Sequence, residues 1–309
     1  MDSMFVPSRG IAKAFVLFII GFAVCAALTA CHSPADINQE SEWSAAESFA
    51  ETISEPETEQ TLSPPETEQT SRAEVTTEAV TESVTEDPNT KTYEPVVFMY
   101  HLILEEPYSP YTSLYVSPAD FSDHMDALNE MGYRYIFADE YAMHTYRTAV
   151  LTFDDGYEDN YTEMFPILKE KGGRATIFLI TDLIGTDGYL NKEQIQEMAR
   201  SGLVSFQSHT CSHPRLPELS AEAIREEFQN SIQIIEELTG SPVRAIAYPY
   251  GKTSDTVRQL AGEYFAFAYT TQSPAVAASA DSLMLPRYGI PRGYSKQQFM
   301  SILRSRYDI

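Results

Sequence analysis

Two short stretches carry the residues best suited to chemistry. Thr152-Phe153-Asp154-Asp155-Gly156-Tyr157 sets two carboxylates side by side before a glycine, and Ser208-His209-Thr210-Cys211-Ser212-His213 sets two imidazoles four residues apart. Adjacent carboxylates repel, and one of them is protonated unless a cation stands nearby. One carboxylate and two neutral imidazoles suit a divalent metal, and three protein ligands leave positions open for water and substrate. The second carboxylate is then available for proton transfer. The combination points to a metal-dependent hydrolase. Two rival explanations are an Asp-Gly surface turn and a glycosidase acid/base pair. The latter normally draws its carboxylates from separate segments several ångströms apart. A third stretch, Ala245-Ile246-Ala247-Tyr248-Pro249-Tyr250-Gly251, runs an apolar strand into a Pro-Tyr-Gly turn. Such a turn can aim a backbone N–H at an oxyanion, although alone it is an ordinary proline turn.

Strand ends must present these groups. The apolar run 149–151 leads directly into Asp154, and 96–100 leads into His101. Ser117-Pro118-Ala119-Asp120 then opens a helix with Ser as N-cap and Pro at the first helical position. Phe121, Met125, Leu128 and Met131 form its apolar stripe before Gly132. After a short strand at 133–137, helices over 161–171, 192–200, 221–238 and 254–263 alternate with strands over 175–180, 204–207, 245–248 and 265–270. A last strand at 285–290 and a last helix at 296–304 follow. Alternation with apolar strands predicts a parallel sheet with helices outside. About seven such units suggest a barrel, with catalytic groups at the strand ends.

The chain has 309 residues and a formal net charge of -24, which argues against nucleic acid as a partner. Between Asp36 and Glu94 there are 16 acidic residues against Arg72 and Lys91, so more than half of the imbalance lies there. This segment is rich in Glu, Thr, Ser and Pro and repeats Pro-Glu-Thr-Glu-Gln-Thr at Pro56 and Pro65. It buries too little apolar area to offset its chain entropy, and 31–95 is expected to be a disordered tether. Residues 1–30 carry Arg9 and Lys13 before the apolar run 14–27, the pattern of a secretory signal. Leu28-Thr29-Ala30-Cys31 resembles a bacterial lipobox, which implies lipid attachment at Cys31 and a place on the extracellular face of the cell membrane. Cys25, Cys31 and Cys211 offer no disulfide framework, and Cys211 is expected to be a small buried filler. Residues 96–309 are expected to form the catalytic domain, as a monomer.

Taken together, Thr-Phe-Asp-Asp-Gly, Ser-His-Thr-x-Ser-His and Tyr-Pro-Tyr-Gly resemble the polysaccharide deacetylases, the NodB-homology carbohydrate esterases of family 4. The resemblance covers roughly residues 96–305. It implies a distorted (β/α) barrel with a divalent metal at the strand ends, usually Zn2+, with Co2+, Ni2+ or Mn2+ as alternatives. It also implies removal of acetyl groups from a polysaccharide partner. Carried over by motif, Asp154 is the general base, Asp155, His209 and His213 are the metal ligands, and the backbone N–H of Tyr250 is the oxyanion donor.

Two features depart from the family. An Arg usually precedes the Pro-Tyr-Gly and braces the base; Ala247 or Tyr248 stands there. The usual C-terminal Leu-x-x-His is also missing, and no histidine follows His213. Arg287, in Leu-Pro-Arg, is the candidate replacement brace, with a surface salt bridge as its rival. His101 is the candidate general acid, as in a circularly permuted barrel whose last strand has moved to the front; its rival role is purely structural. The start Met99-Tyr100-His101-Leu102-Ile103, with Tyr-Pro-Tyr-Gly, resembles the branch containing poly-β-1,6-N-acetylglucosamine deacetylases. An N-acetylglucosamine polymer is therefore the expected substrate. O-acetyl xylan-type esterase activity and a degenerate glycan-binding module are the alternatives. Tyr108, Tyr111 and Tyr115 follow His101 and are candidates to stack on sugar rings. His124 and His144 are expected at the surface.

Overall fold

A computed structural model describes residues 91–105, 114–274 and 281–307. The expected signal sequence, Cys31, nearly all of the expected tether, and Tyr108 and Tyr111 lie outside these residues.

One sheet runs in the spatial order β10 (Tyr288–Gly289), β1 (Val96–Tyr100), β5 (Thr148–Phe153), β6 (Ala175–Leu179), β7 (Val204–Ser208), β8 (Ala245–Ala247), β9 (Phe267–Tyr269). Short β4 (Arg134–Tyr135) pairs with the start of β5, while β2 (Leu102–Ile103) and β3 (Tyr115–Val116) form a small separate pair. Each of these pairings is parallel. The helices are α1 (Pro118–Glu130), α2 (Phe165–Lys171), α3 (Lys192–Arg200), α4 (Ala221–Thr239), α5 (Asp255–Tyr264) and α6 (Lys296–Tyr307). None of the described helices is long and apolar enough to cross a membrane.

The segment from Leu285 to Gly289 curls the sheet back on itself. Leu285 bridges Tyr269 of β9, and Tyr288 pairs with Phe98 of β1. The result is the expected distorted (β/α) barrel, with its first and last strands as neighbours. Side-chain alternation then splits the core in two. Val97, Val150, Phe178, Ala245, Ala247, Tyr269 and Leu285 fill the inside. Phe98, Leu151, Ile177, Phe206 and Ile246 face the helices. The same period carries Val150 through Thr152 to Asp154, and Leu285 to Arg287, on the inner face. It also carries Val97 through Met99 to His101.

Local signals set most element ends. Ser117 Oγ accepts the Asp120 N–H at 3.0 Å, Ser220 Oγ accepts the Ala223 N–H at 3.2 Å, and left-handed Gly240 ends α4. The expected strand at 133–137 shrinks to two residues, and the helix expected over 161–171 opens as a wide π-turn, Asn160–Met164. Tyr115 is buried in β3 and packs rather than facing a ligand. The expectation for His124 was wrong. It is buried, bonded to the Tyr100 hydroxyl at 3.2 Å and the Tyr294 carbonyl at 2.6 Å, and stacked on Phe299 at 4.4 Å. α6 folds back over α1 and covers it, a contact no local pattern in α1 reveals. His144 is half-buried, held by a backbone bridge to Tyr93.

Candidate active site

The end of β5 turns sharply. Asp155 and Gly156 both have positive φ, at 74° and 81°, so the chain reverses within two residues and both carboxylates stay at one strand end. Among the described residues, the non-glycine positions with positive φ are Asp155, Thr210, His213 and Tyr250, and each lies in one of the three motifs. Each such residue costs on the order of 1–3 kcal/mol and persists only where its surroundings over-determine it. Strain gathered at the strand ends, and at no other described position, marks a functional site.

Arg287 is fully buried and meets Asp154 edge to edge. Nη1 donates to Oδ1 and Nη2 to Oδ2, both at 2.7 Å. The guanidinium also donates to Thr152 Oγ1 and to the Thr270 carbonyl, each at 3.0 Å. Thr152 in turn donates to the Phe98 carbonyl at 2.8 Å. Burial alone would raise the Asp154 carboxyl, but the Arg287 charge and hydrogen bonds outweigh it and hold Asp154 below the usual carboxylate range. Ala247 and Tyr248, where the family arginine usually stands, are buried apolar packing.

Asp155, His209 and His213 converge, with one potential ligand atom from each within 4.8 Å of the others. Asp155 Oδ1 lies 3.4 Å from His209 Nε2 and 3.8 Å from His213 Nε2. His209 Nδ1 sits 2.8 Å from the Ala247 carbonyl, which can only accept. Nδ1 therefore carries a proton, and Nε2 faces Asp155. Burial lowers His209, but the Asp155 hydrogen bond and the Asp154 and Asp155 charges outweigh it and raise its pKa. Burial, then the nearby His209, lowers His213 to about 4, so it is a neutral donor at neutral pH. Two imidazole nitrogens and one carboxylate oxygen form a donor set that fits a divalent metal with open positions, the cation taking the place of the His209 Nε2 proton.

His101 is buried at the end of β1, where the Asp154 N–H bonds the Tyr100 carbonyl at 3.0 Å. Continuing the β1–β5 register sets His101 beside Asp154. Burial lowers its pKa, helped by Arg287 and His209, while Asp155 and Asp154 pull it back up. Its backbone is held by residues that sequence reasoning missed. Asn160 Nδ2 donates to the His101 carbonyl at 2.9 Å and to Asp159 Oδ1 at 3.0 Å, and Asp159 Oδ1 accepts the Ile103 N–H at 2.7 Å. Only the buried polar character of these neighbours hints at the role. Tyr250 occupies the turn after β8, its ring edge-on to His213 at 4.4 Å and under the Arg215 guanidinium at 5.2 Å. Cys211 is a buried free thiol pushed up to about 11 by burial, as a packing residue should be.

A parallel barrel with a carboxylate–arginine pair next to an Asp/His/His donor set fits the class of barrel hydrolases. Comparison with known proteins agrees. Residues 143–265 match the family model for polysaccharide deacetylase. The protein YxkH of Bacillus subtilis, named as a polysaccharide deacetylase, is 30% identical over 226 residues, covering 70% of this chain and 79% of its own. The crystal structure of a polysaccharide deacetylase from Bacillus cereus superposes with a TM-score of 0.62 at 31% identity, covering 68% of this chain and 69% of that one. The poly-β-1,6-N-acetyl-D-glucosamine N-deacetylase of Staphylococcus epidermidis is 30% identical over 155 residues, 46% of this chain and 54% of its own length. The chain belongs to the polysaccharide deacetylase family, and deacetylation is a hydrolysis.

Proposed function

We propose that this protein is a metal-dependent N-deacetylase of N-acetylglucosamine-containing polysaccharide. The observation that carries the proposal is the bidentate Arg287–Asp154 pair, which sets an ionised carboxylate beside Asp155, His209 and His213. Those three residues would hold the metal, and their nitrogen and oxygen atoms suit Zn2+. When bound, the cation supplies a Lewis acid that polarises the acetyl carbonyl and acidifies water.

The chain's own groups do the rest. Asp154, oriented by Arg287, takes a proton from the attacking water. The backbone N–H of Tyr250 supports the oxyanion that develops on the acetyl group. His101 delivers a proton to the departing nitrogen; burial lowers its pKa on balance, and the two carboxylates beside it offset part of that fall. Arg287 touches no reacting atom in this scheme and acts through Asp154.

The likeness to the S. epidermidis enzyme supports an N-acetylglucosamine polymer as substrate. Leu28-Thr29-Ala30-Cys31 supports export and lipid attachment at Cys31, with the acidic segment as a tether at the outer membrane face. A glycan panel tests the activity: β-1,6- and β-1,4-linked N-acetylglucosamine oligomers, peptidoglycan and acetylxylan, each incubated with the zinc-loaded protein and assayed for acetate. Acetate from the N-acetylglucosamine oligomers is expected. Release from acetylxylan alone would overturn the substrate. No release from any glycan by zinc-bound protein would make it a binding module.

A further inference from the structure

The two histidines of the donor set are joined by a loop that cannot hold its shape alone. Thr210 and His213 both have positive φ, at 69° and 57°, although neither is glycine. Their conformations persist only if something outside the loop enforces them. The backbone carbonyls of Thr210 and Cys211 are taken by the N–H groups of Thr181 and Asp182, at 3.2 and 3.0 Å. The N–H groups of Cys211 and Ser212 are taken from the other side by a single residue.

Glu227, on α4, accepts the Cys211 N–H at 2.7 Å and the Ser212 N–H at 3.0 Å on Oε2. Its Oε1 accepts the Ser212 hydroxyl at 2.6 Å. The Cys211 thiol reaches the Glu227 carbonyl at 3.6 Å. One turn further along α4, Ser231 Oγ lies 2.7 Å from Ser208 Oγ, which accepts the Thr210 N–H at 3.1 Å. Thr210 Oγ1 then accepts the His213 N–H at 3.0 Å. Both ends of the loop are thus tied to one helix face, and the carboxylate of Glu227 makes the only charge-assisted ties in the set just described.

We propose that Glu227 is the positioning residue for the metal site: it clamps the loop between His209 and His213 in the strained conformation that brings both imidazoles to Asp155. The proposal rests on the Asp155/His209/His213 site taking a metal. A loop released from Glu227 relaxes its left-handed residues and moves His213 off the ligand position. Groups that orient ligands typically control metal affinity by about 10- to 100-fold.

The test uses the purified chain, stripped with a chelator and titrated with Zn2+ against a chromophoric competitor, with Co2+ visible spectra as a second readout. Glu227→Ala is expected to weaken Zn2+ binding about 10- to 100-fold and to alter the Co2+ bands. Glu227→Gln should recover most of the affinity, because its amide oxygen can accept both N–H groups and its amide N–H can donate to Ser212. Exposed Glu226, which lines the same outer cleft, is the charge control, and Glu226→Ala should leave both readouts unchanged. Wild-type affinity in Glu227→Ala, or an equal loss in Glu226→Ala, would overturn the clamp while leaving the metal site standing. A wild-type chain that binds no metal would instead remove the site itself. Should Glu227→Ala fail to fold, Ser212→Ala carries the test by deleting only the 2.6 Å bond. A few-fold weaker affinity supports the clamp, and an unchanged one overturns it.

Discussion

Arg287→Met removes the partner of a buried charge. Arg287 and Asp154 have side-chain exposures of 0% and 3%, and two bonds of 2.7 Å join them. Charge-assisted bonds contribute roughly 1.5–3 kcal/mol each, so the pair accounts for about 3–6 kcal/mol. Stranding a buried ion typically costs 3–5 kcal/mol, which agrees. Arg287→Met and Asp154→Asn should therefore each destabilise by about 3–5 kcal/mol. The double variant should cost about 2–4 kcal/mol less than the two single effects combined, because no stranded charge remains. The assay is equilibrium denaturation with a chelator present, so that metal release does not enter the balance. Arg287→Lys should recover only part of the loss, since an ammonium cannot match both oxygens at once. Additivity within about 0.5 kcal/mol would show that the two side chains are uncoupled and refute the reasoning.

Asp159 gives a pH signature. Burial raises its carboxyl from 3.8 to about 6 in the folded chain, with Glu163 adding to the rise. The folded state then binds the proton more tightly, so stability contributed by Asp159 grows as pH falls from above 6 to below 4, by roughly 3 kcal/mol at most. Asp159→Asn keeps an acceptor for the Ile103 N–H and should be more stable than wild type at pH 7. That advantage should shrink by pH 4.5 in denaturation curves, and a constant difference would contradict it. Gly251 has φ +64°, and a Cβ there would sit 2.2 Å from Thr271 Oγ1 and 2.8 Å from its backbone nitrogen. Gly251→Ala should cost more than about 2 kcal/mol, seen as a fall in Tm on the order of 4–8 °C. His101→Gln should leave Zn2+ affinity intact while kcat falls roughly 100- to 10,000-fold. An unchanged kcat would take His101 out of the mechanism.

Much of the barrel could be read from local pattern. Val96–Tyr100 and Lys192–Arg200 match the expected bounds, because an apolar run or a capped amphipathic stripe defines each without help from distant residues. The convergence of Asp155, His209 and His213 was legible because they lie at two strand ends that neighbour through β6. The Arg287 pairing was reached only by noticing a missing arginine; alternation along Leu285–Arg287 and Val150–Asp154 would have put both on the inner face directly. The supports were not legible. Glu227 reaches backbone groups 15 and 16 positions earlier, and Asp159 reaches one 56 positions earlier. Side chain-to-backbone bonds across such separations leave no periodic trace. His124 failed for a related reason, since its cover comes from Tyr294, 170 residues later, and from Phe299 on the helix that follows.

Chelation tests the central claim most directly. The chain should release acetate from an N-acetylglucosamine oligomer when loaded with Zn2+. It should lose that activity after stripping and regain it when Zn2+ is returned, and Asp154→Asn should stay silent throughout although it still binds the metal. Acetate release that survives complete removal of metal, or full turnover by Asp154→Asn, would contradict the account.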